Sequence, residues 1–136
     1  MDCIFCKIIN KEIPNYTVYE DENVLAFLDI FPHAMGHTVV IPKKHFDTPL
    51  EMSEEEFINY SIGLKKALEQ VEKILKPAGF NVGWNQKSAG GQVVPHLHTH
   101  ILPRYEGDGG GSMHSIVKNS GDKMVKEVSE LFIGKK

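Results

Sequence analysis

The residues of this chain best placed to do chemistry are three histidines in one short run, Pro95-His96-Leu97-His98-Thr99-His100-Ile101-Leu102-Pro103. Their alternation with Leu97 and Thr99 is the period of an extended strand, whose successive side chains leave opposite faces. On that reading His96, His98 and His100 share one face with neighbours roughly 6.6 Å apart, while Leu97, Thr99 and Ile101 turn into a core. An imidazole can ligate a metal, carry a proton or attack an electrophile near neutral pH. Two chemistries fit the run: a His-x-His pair can hold zinc, or the middle imidazole can be a nucleophile whose neighbours hold an anionic substrate. Spacing within the run does not choose between them.

The elements that must position these residues follow from the rest of the chain. Cys3 to Ile9 reads as a short helix or turn with Phe5, Ile8 and Ile9 inward, broken at Ile13-Pro14. Tyr16–Glu20 and Val24–Leu28 flank Asp21-Glu22-Asn23 as a hairpin, and His37–Pro42 is a third strand stopped by its proline. Ser53-Glu54-Glu55-Glu56 is a capping box. Behind it Phe57, Ser61, Leu64, Leu68, Val71 and Leu75 recur at helical spacing up to Lys76-Pro77. Phe80–Asn85 is a fourth strand, and Ser88–Gly91 is a loop before the fifth, histidine-bearing one. Gly107–Ser112 reads as a surface loop with the glycine content of a phosphate nest, and Asp122–Phe132 as a short amphipathic helix. Five strands joined by hairpins, with one long helix, predict an α+β domain on an antiparallel sheet. Such a sheet leaves a face or an edge open, which predicts a dimer.

At 136 residues the chain has the length of one domain. Its net charge of −3 argues against a general affinity for nucleic acid or an anionic membrane, so phosphate recognition has to be local. Met1–Cys6 lacks the basic and apolar regions of a secretion signal, and no apolar run reaches the ~20 residues that cross a bilayer. The expected location is the cytoplasm, where two cysteines would not form a lasting disulfide.

The run His96-Leu97-His98-Thr99-His100-Ile101-Leu102 resembles the signature of the histidine-triad (HIT) family, His-x-His-x-His followed by apolar residues. The similarity continues, in order and spacing, through Ile4–Ile9, Glu12–Pro14, Ala26–Ile30, Gly36–His45, Asn85 and Gly90-Gly91-Gln92, as in the Hint-type branch. It implies a single domain over 1–136, with a core of about 3–105 and a C-terminal extension of 106–136. It also implies a homodimer with joined sheets. The implied activity is that of a nucleotide-binding hydrolase or transferase working on the α-phosphate of purine nucleoside monophosphate derivatives. Adenosine 5′-phosphoramidate and AMP-lysine are Hint-type substrates, while another branch cleaves dinucleoside polyphosphates. No catalytic metal or organic cofactor is expected.

Position by position, the resemblance makes His98 the nucleophile, which forms a nucleotidyl-imidazole that water resolves. His100 contacts the phosphate and protonates the leaving group, and His37 extends the imidazole cluster. Asn85, Gln92 and the backbone N–H groups near Val93 and Val94 donate to phosphate oxygens, Asp29 accepts from the ribose hydroxyls, and Phe5, Ile8, Ile13, Phe27 and Ile30 line an apolar slot for the base. Asp29 and Asn85 suit turns equally well, and the apolar five suit any core. Two departures stand out. Val93 replaces a serine frequent in Hint-type proteins, and the segment from Arg104 onward looks more like bacterial HIT proteins, which leaves the leaving group open.

Cys3-x-x-Cys6 supplies half of a tetrahedral site. Some HIT proteins complete zinc with the histidine of a Pro-Lys-x-His segment and the first of the triad, here His45 and His96. In that arrangement His96 is structural and the chemistry falls to His98 and His100. A zinc hydrolase using His96 and His98, or a nucleotide sensor that binds AMP without turnover, are the readings from other classes.

Overall fold

The computed structural model describes residues 2–134. The chain runs from helix α1 (Ile4–Ile9) through strands β1 (Thr17–Glu20), β2 (Val24–Leu28) and β3 (Thr38–Pro42) to the long helix α2 (Glu54–Leu75). It ends with β4 (Gly79–Trp84), β5 (Thr99–Arg104) and the short helix α3 (Val125–Glu130). The five strands form one antiparallel sheet in the order β1-β2-β3-β5-β4. The α+β architecture expected from the pattern is the one observed. The β1–β2 turn closes as anticipated, because the Asp21 carboxylate accepts from the backbone N–H groups of Asn23 and Val24.

The sheet has a helix on each face. On one side α2 packs over Val24, Ala26, Val40, Leu97 and Ile101. Its first turn is fixed by the predicted capping box, with Ser53 and Glu56 exchanging side-chain-to-backbone bonds. Its last residue gives way to Lys76 in a left-handed conformation before Pro77. The buried stripe is Tyr60, Gly63, Ala67 and Val71; of the predicted line Phe57, Ser61, Leu64, Leu68, Val71 and Leu75, only Val71 lies on it, and the stripe is turned toward the small residues. Leu64 and Leu68 pack partly at its flank, while Phe57 is left exposed. Small residues explain the rotation. A Cβ at Gly63 would run into the Val24 methyl groups, so α2 lies close against β2 only because Gly63 and Ala67 are there. Tyr60 reaches through the layer, donating to the Val40 carbonyl at 2.8 Å and pairing with the Thr99 hydroxyl at 2.6 Å.

On the opposite face α1, with Phe5, Ile8, Ile9 and Ile13, covers the β1–β2–β3 half, where Leu25, Phe27, Val39 and Ile41 form a second core. The β5–β4 half of that face stays open. There His100, Leu102, Asn81 and Arg104 floor a groove of about 690 Å³, walled by residues such as Tyr105 and Met113.

Two expectations need correction. The histidine run is not one continuous strand: the ladder begins at Thr99, and His96 to His98 precede it. β3 pairs with β5 no further than Val40 with Thr99. Before that point Leu97 N–H bonds to Phe46 O and His96 N–H turns back to Val94 O. The inward set holds, since Leu97, Thr99 and Ile101 are all buried, but His96 and His98 are buried too, under α1. Gly107–Ser112 is the exposed surface loop that the sequence suggested, and it offers no phosphate nest. Asp108 fills it with its own carboxylate, accepting from Tyr105 N, Gly110 N and the Arg104 guanidinium. The other correction is the C-terminal helix, which is Val125–Glu130 rather than Asp122–Phe132, and its apolar residues lie exposed against nothing in the described chain. Among the described residues no helix is long and apolar enough to cross a membrane.

Candidate active site

Two clusters of titratable side chains lie on the α1 face, and their hydrogen bonds assign them different chemistry. The first joins Asp29, His33, His37, His98 and His100. The start of β5 and the residues before it carry the last two, and the β2–β3 connection carries the rest. His98, buried beneath the Phe5 ring (centroids 5.0 Å apart), places Nδ1 at 2.8 Å from the His96 carbonyl. A carbonyl only accepts, so Nδ1 holds the proton and Nε2 is left with a free lone pair. The same logic runs through the neighbouring rings. The His33 backbone N–H donates to His37 Nδ1 at 3.1 Å, which leaves the His37 proton on Nε2. That Nε2 lies 2.9 Å from His100 Nδ1 and donates to it, so the neutral His100 carries its proton on Nε2. The cluster thus sets a lone pair on His98 beside an N–H donor on His100, with ring centroids 5.2 Å apart.

Burial disfavours the charged forms of His37 and His100. Desolvation, aided by His98 and His37, pulls the His100 pKa down to about 4. His37 is lowered as well, again chiefly by burial and against the pull of Asp29. The Asp29 carboxylate stands 3.7 Å from His37 Nε2 and accepts from Phe31 N–H through its other oxygen. Asp29, His37 and His100 lie close enough together for a metal. The tautomers argue otherwise, because ligation through His37 Nε2 would move its proton onto Nδ1, against the His33 N–H.

The second cluster is built the other way round. Cys3, Cys6, His45 and His96 bring their ligand atoms within 4.8 Å of one another. Cys3 Sγ lies 3.4 Å from His96 Nδ1, Cys6 Sγ lies 3.2 Å from His45 Nδ1, and the two Nδ1 atoms are 3.1 Å apart. Each imidazole points its Nε2 at an acceptor, His96 at Pro42 O (2.9 Å) and His45 at Asp47 Oδ1 (3.1 Å). Both Nδ1 lone pairs therefore face the sulfurs, the orientation that carboxylates and carbonyls impose on metal-binding histidines. Burial and the adjoining Cys3 thiol push the Cys6 thiol up to about 11.

The remaining predicted residues fall at the edges of the first cluster. Asn85 is exposed just beyond β4 and, with His100, lines the open groove. Val93 is exposed, Val94 partly buried, and among the described residues no group accepts from either N–H. Gln92 is engaged within the chain: its amide donates to the carbonyls of Asp47 and Val94 and accepts from Lys87 N–H. Phe5, Ile8, Ile13 and Phe27 come together over β2, while Ile30 is exposed beyond its end. The orienting roles of His33, Pro42 and Asp47 were not foreseen. Asp47 was within reach, standing two residues from a suspected ligand, but a backbone N–H or carbonyl leaves no trace in side-chain pattern.

The fold and this imidazole constellation define a histidine-triad protein. The comparisons agree: the model of the HIT domain family matches residues 10–107, and the chain belongs to that family. It is 51% identical over 127 residues to an uncharacterized HIT-like protein of Methanocaldococcus jannaschii, spanning 93% of this chain and 98% of that one. It superposes on the crystal structure of a HIT family member from Bacillus subtilis with a TM-score of 0.83 at 39% identity, covering 96% of this chain and 92% of that chain. Adenylylsulfatase HINT3 of Arabidopsis thaliana is 36% identical over 130 residues, 96% of this chain and 66% of that protein.

Proposed function

We propose that this chain is a nucleotide-binding hydrolase or transferase acting on the α-phosphate of purine nucleoside monophosphate derivatives, phosphoramidates first among them. The observation that carries the reading is the tautomer set by hydrogen bonds: His98 Nε2 bears a free lone pair beside the protonated Nε2 of His100. A nucleophile next to a proton donor is what splitting a phosphorus–nitrogen bond requires. His98 Nε2 attacks phosphorus and the P–N bond breaks; the anionic phosphate beside His100 favours the imidazolium form of that ring, and the departing amine takes one of its protons, leaving His100 neutral. Water then attacks the nucleotidyl-His98, returning a proton to His100 and releasing AMP and the free imidazole. Asn85 and the N–H groups of Val93 and Val94 stabilise the charge that develops on the phosphoryl oxygens. Asp29 receives the ribose, and the Phe5, Ile8, Ile13, Phe27 and Ile30 set receives the base.

The Arabidopsis relative, named an adenylylsulfatase, favours a second reading on the same centre, in which sulfate leaves from an adenylyl phosphorus. Both share the covalent intermediate, which makes it the feature to test. Single-turnover incubation with adenosine 5′-phosphoramidate or adenylyl sulfate, acid-free quenching and peptide mass spectrometry should find an adenylyl group on His98. Turnover with no adduct on any histidine would contradict the covalent route.

Two further parts of the reading stand beside the chemistry. Cys3, Cys6, His45 and His96 are proposed to hold zinc, which two sulfurs and two oriented imidazoles suit. When bound there it pins α1 to the sheet and takes no part in the reaction. A homodimer is proposed as well. Support comes from the unpaired outer edge of β4 and from exposed apolar residues such as Met113, Ile116 and Val125.

A further inference from the structure

The loop between β4 and β5 carries Asn85, Val93 and Val94, the groups assigned to the phosphate, yet it has little regular structure to hold it. One side chain does most of that work. Gln92 Nε2 donates to Asp47 O at 2.9 Å and to Val94 O at 3.1 Å, while Oε1 accepts from Lys87 N–H at 2.8 Å. All the amide's hydrogen-bonding groups are thereby used inside the chain. Lys87 sits at φ +61°, where a residue with a Cβ rarely rests. Its N–H is held by the Gln92 side chain and its carbonyl by the N–H groups of Gly90 and Gln92. The far anchor matters too. Asp47, whose carbonyl receives Gln92, is the residue whose carboxylate orients His45 in the Cys/His cluster. Its own N–H is tied to Glu51.

We infer that Gln92 is a positioning residue. It makes the phosphate-binding loop and the Cys3/Cys6/His45/His96 centre one mechanical unit through Asp47, so that filling the centre sets the loop. The inference rests on the nucleotide reading above. It differs from a direct contact in a measurable way: a side chain that touched phosphate would contribute the same affinity whether or not the metal is present.

The test uses purified wild type, Gln92→Ala, Cys3→Ser and the double variant. Each is measured for zinc content, AMP affinity by calorimetry, and kcat and KM with adenosine 5′-phosphoramidate. Gln92→Ala should keep the wild-type zinc content and lose about tenfold to hundredfold in kcat, the usual cost of removing a group that orients others. Cys3→Ser, which disables the metal centre, should weaken AMP about tenfold when Gln92 is present and less than twofold when it is alanine; such non-additivity is the mark of coupling. Equal weakening in both backgrounds overturns the inference, as does a wild type that binds AMP but no metal. Should Cys3→Ser fail to fold, Gln92→Glu decides. It keeps the acceptor for Lys87 and loses both donors, so wild-type kcat in that variant overturns the inference. A wild type that neither binds AMP nor hydrolyses the phosphoramidate refutes the nucleotide reading itself, and this inference with it. The outcomes above that need AMP binding leave that reading standing.

Discussion

An imidazole has two nitrogens and one proton to place when neutral, and at this site each proton is placed by a neighbour. His37 is the middle link, so it is the residue whose loss should separate position from presence. In His37→Ala, His100 loses the donor to its Nδ1 and is free to put its proton there, away from substrate. The expected result is a drop in kcat of about tenfold to hundredfold with AMP affinity nearly unchanged, the size of effect that misorientation brings. An unchanged kcat would show that His100 needs no such guidance. Burial makes a second claim on the same rings. A group with its folded pKa below its unfolded one binds protons more readily when unfolded, so its contribution to stability is complete above the unfolded value and is lost on acidification. For His100 that window runs from about 6.5 down to about 4, and His37 acts in the same direction. Ring resonances followed by NMR should show His100 titrating near 4, with chemical stability falling as pH drops through the window. A His100 midpoint at 6.5 would contradict the buried neutral network.

At the scale of elements, the close approach of α2 to the sheet is what fixes β3 and β5 beneath the site. Gly63→Ala places a methyl group against Val24 and should cost about 1–3 kcal/mol, as overpacking does. Tyr60→Phe removes the buried partner of the Thr99 hydroxyl and the bond that the Tyr60 hydroxyl gives the Val40 carbonyl, at a cost of about 1–3 kcal/mol. Urea unfolding of both variants measures this, and values within 0.5 kcal/mol of wild type would refute the packing account. These two residues also mark where sequence pattern stopped. The hairpin at Asp21, the capping box at Ser53 and the strand around Val39 were legible because turn chemistry and periodicity are local. Of the buried stripe of α2 only Val71 was, since a glycine, an alanine and a tyrosine do not mark a core face until the sheet they approach is known. The same holds for the site. Histidine identity and spacing were visible, whereas the tautomers depend on the His33 N–H and the His96 and Pro42 carbonyls, which any residue would supply.

The whole molecule leaves apolar surface uncovered: Ile116, Val125 and Phe132 are exposed, and among the described residues no strand pairs with the outer edge of β4. A second copy covering that region predicts a solution mass twice the 15.3 kDa of one chain by light scattering, and a monomer at micromolar concentration would contradict it. The most direct test of the account as a whole is AMP release from adenosine 5′-phosphoramidate by wild type and His98→Ala side by side, with AMP binding measured for both. Loss of a nucleophile costs on the order of 10⁴-fold or more. The account predicts turnover by wild type, a fall of that size in His98→Ala, and AMP binding retained in both. Equal turnover by the two proteins would contradict it.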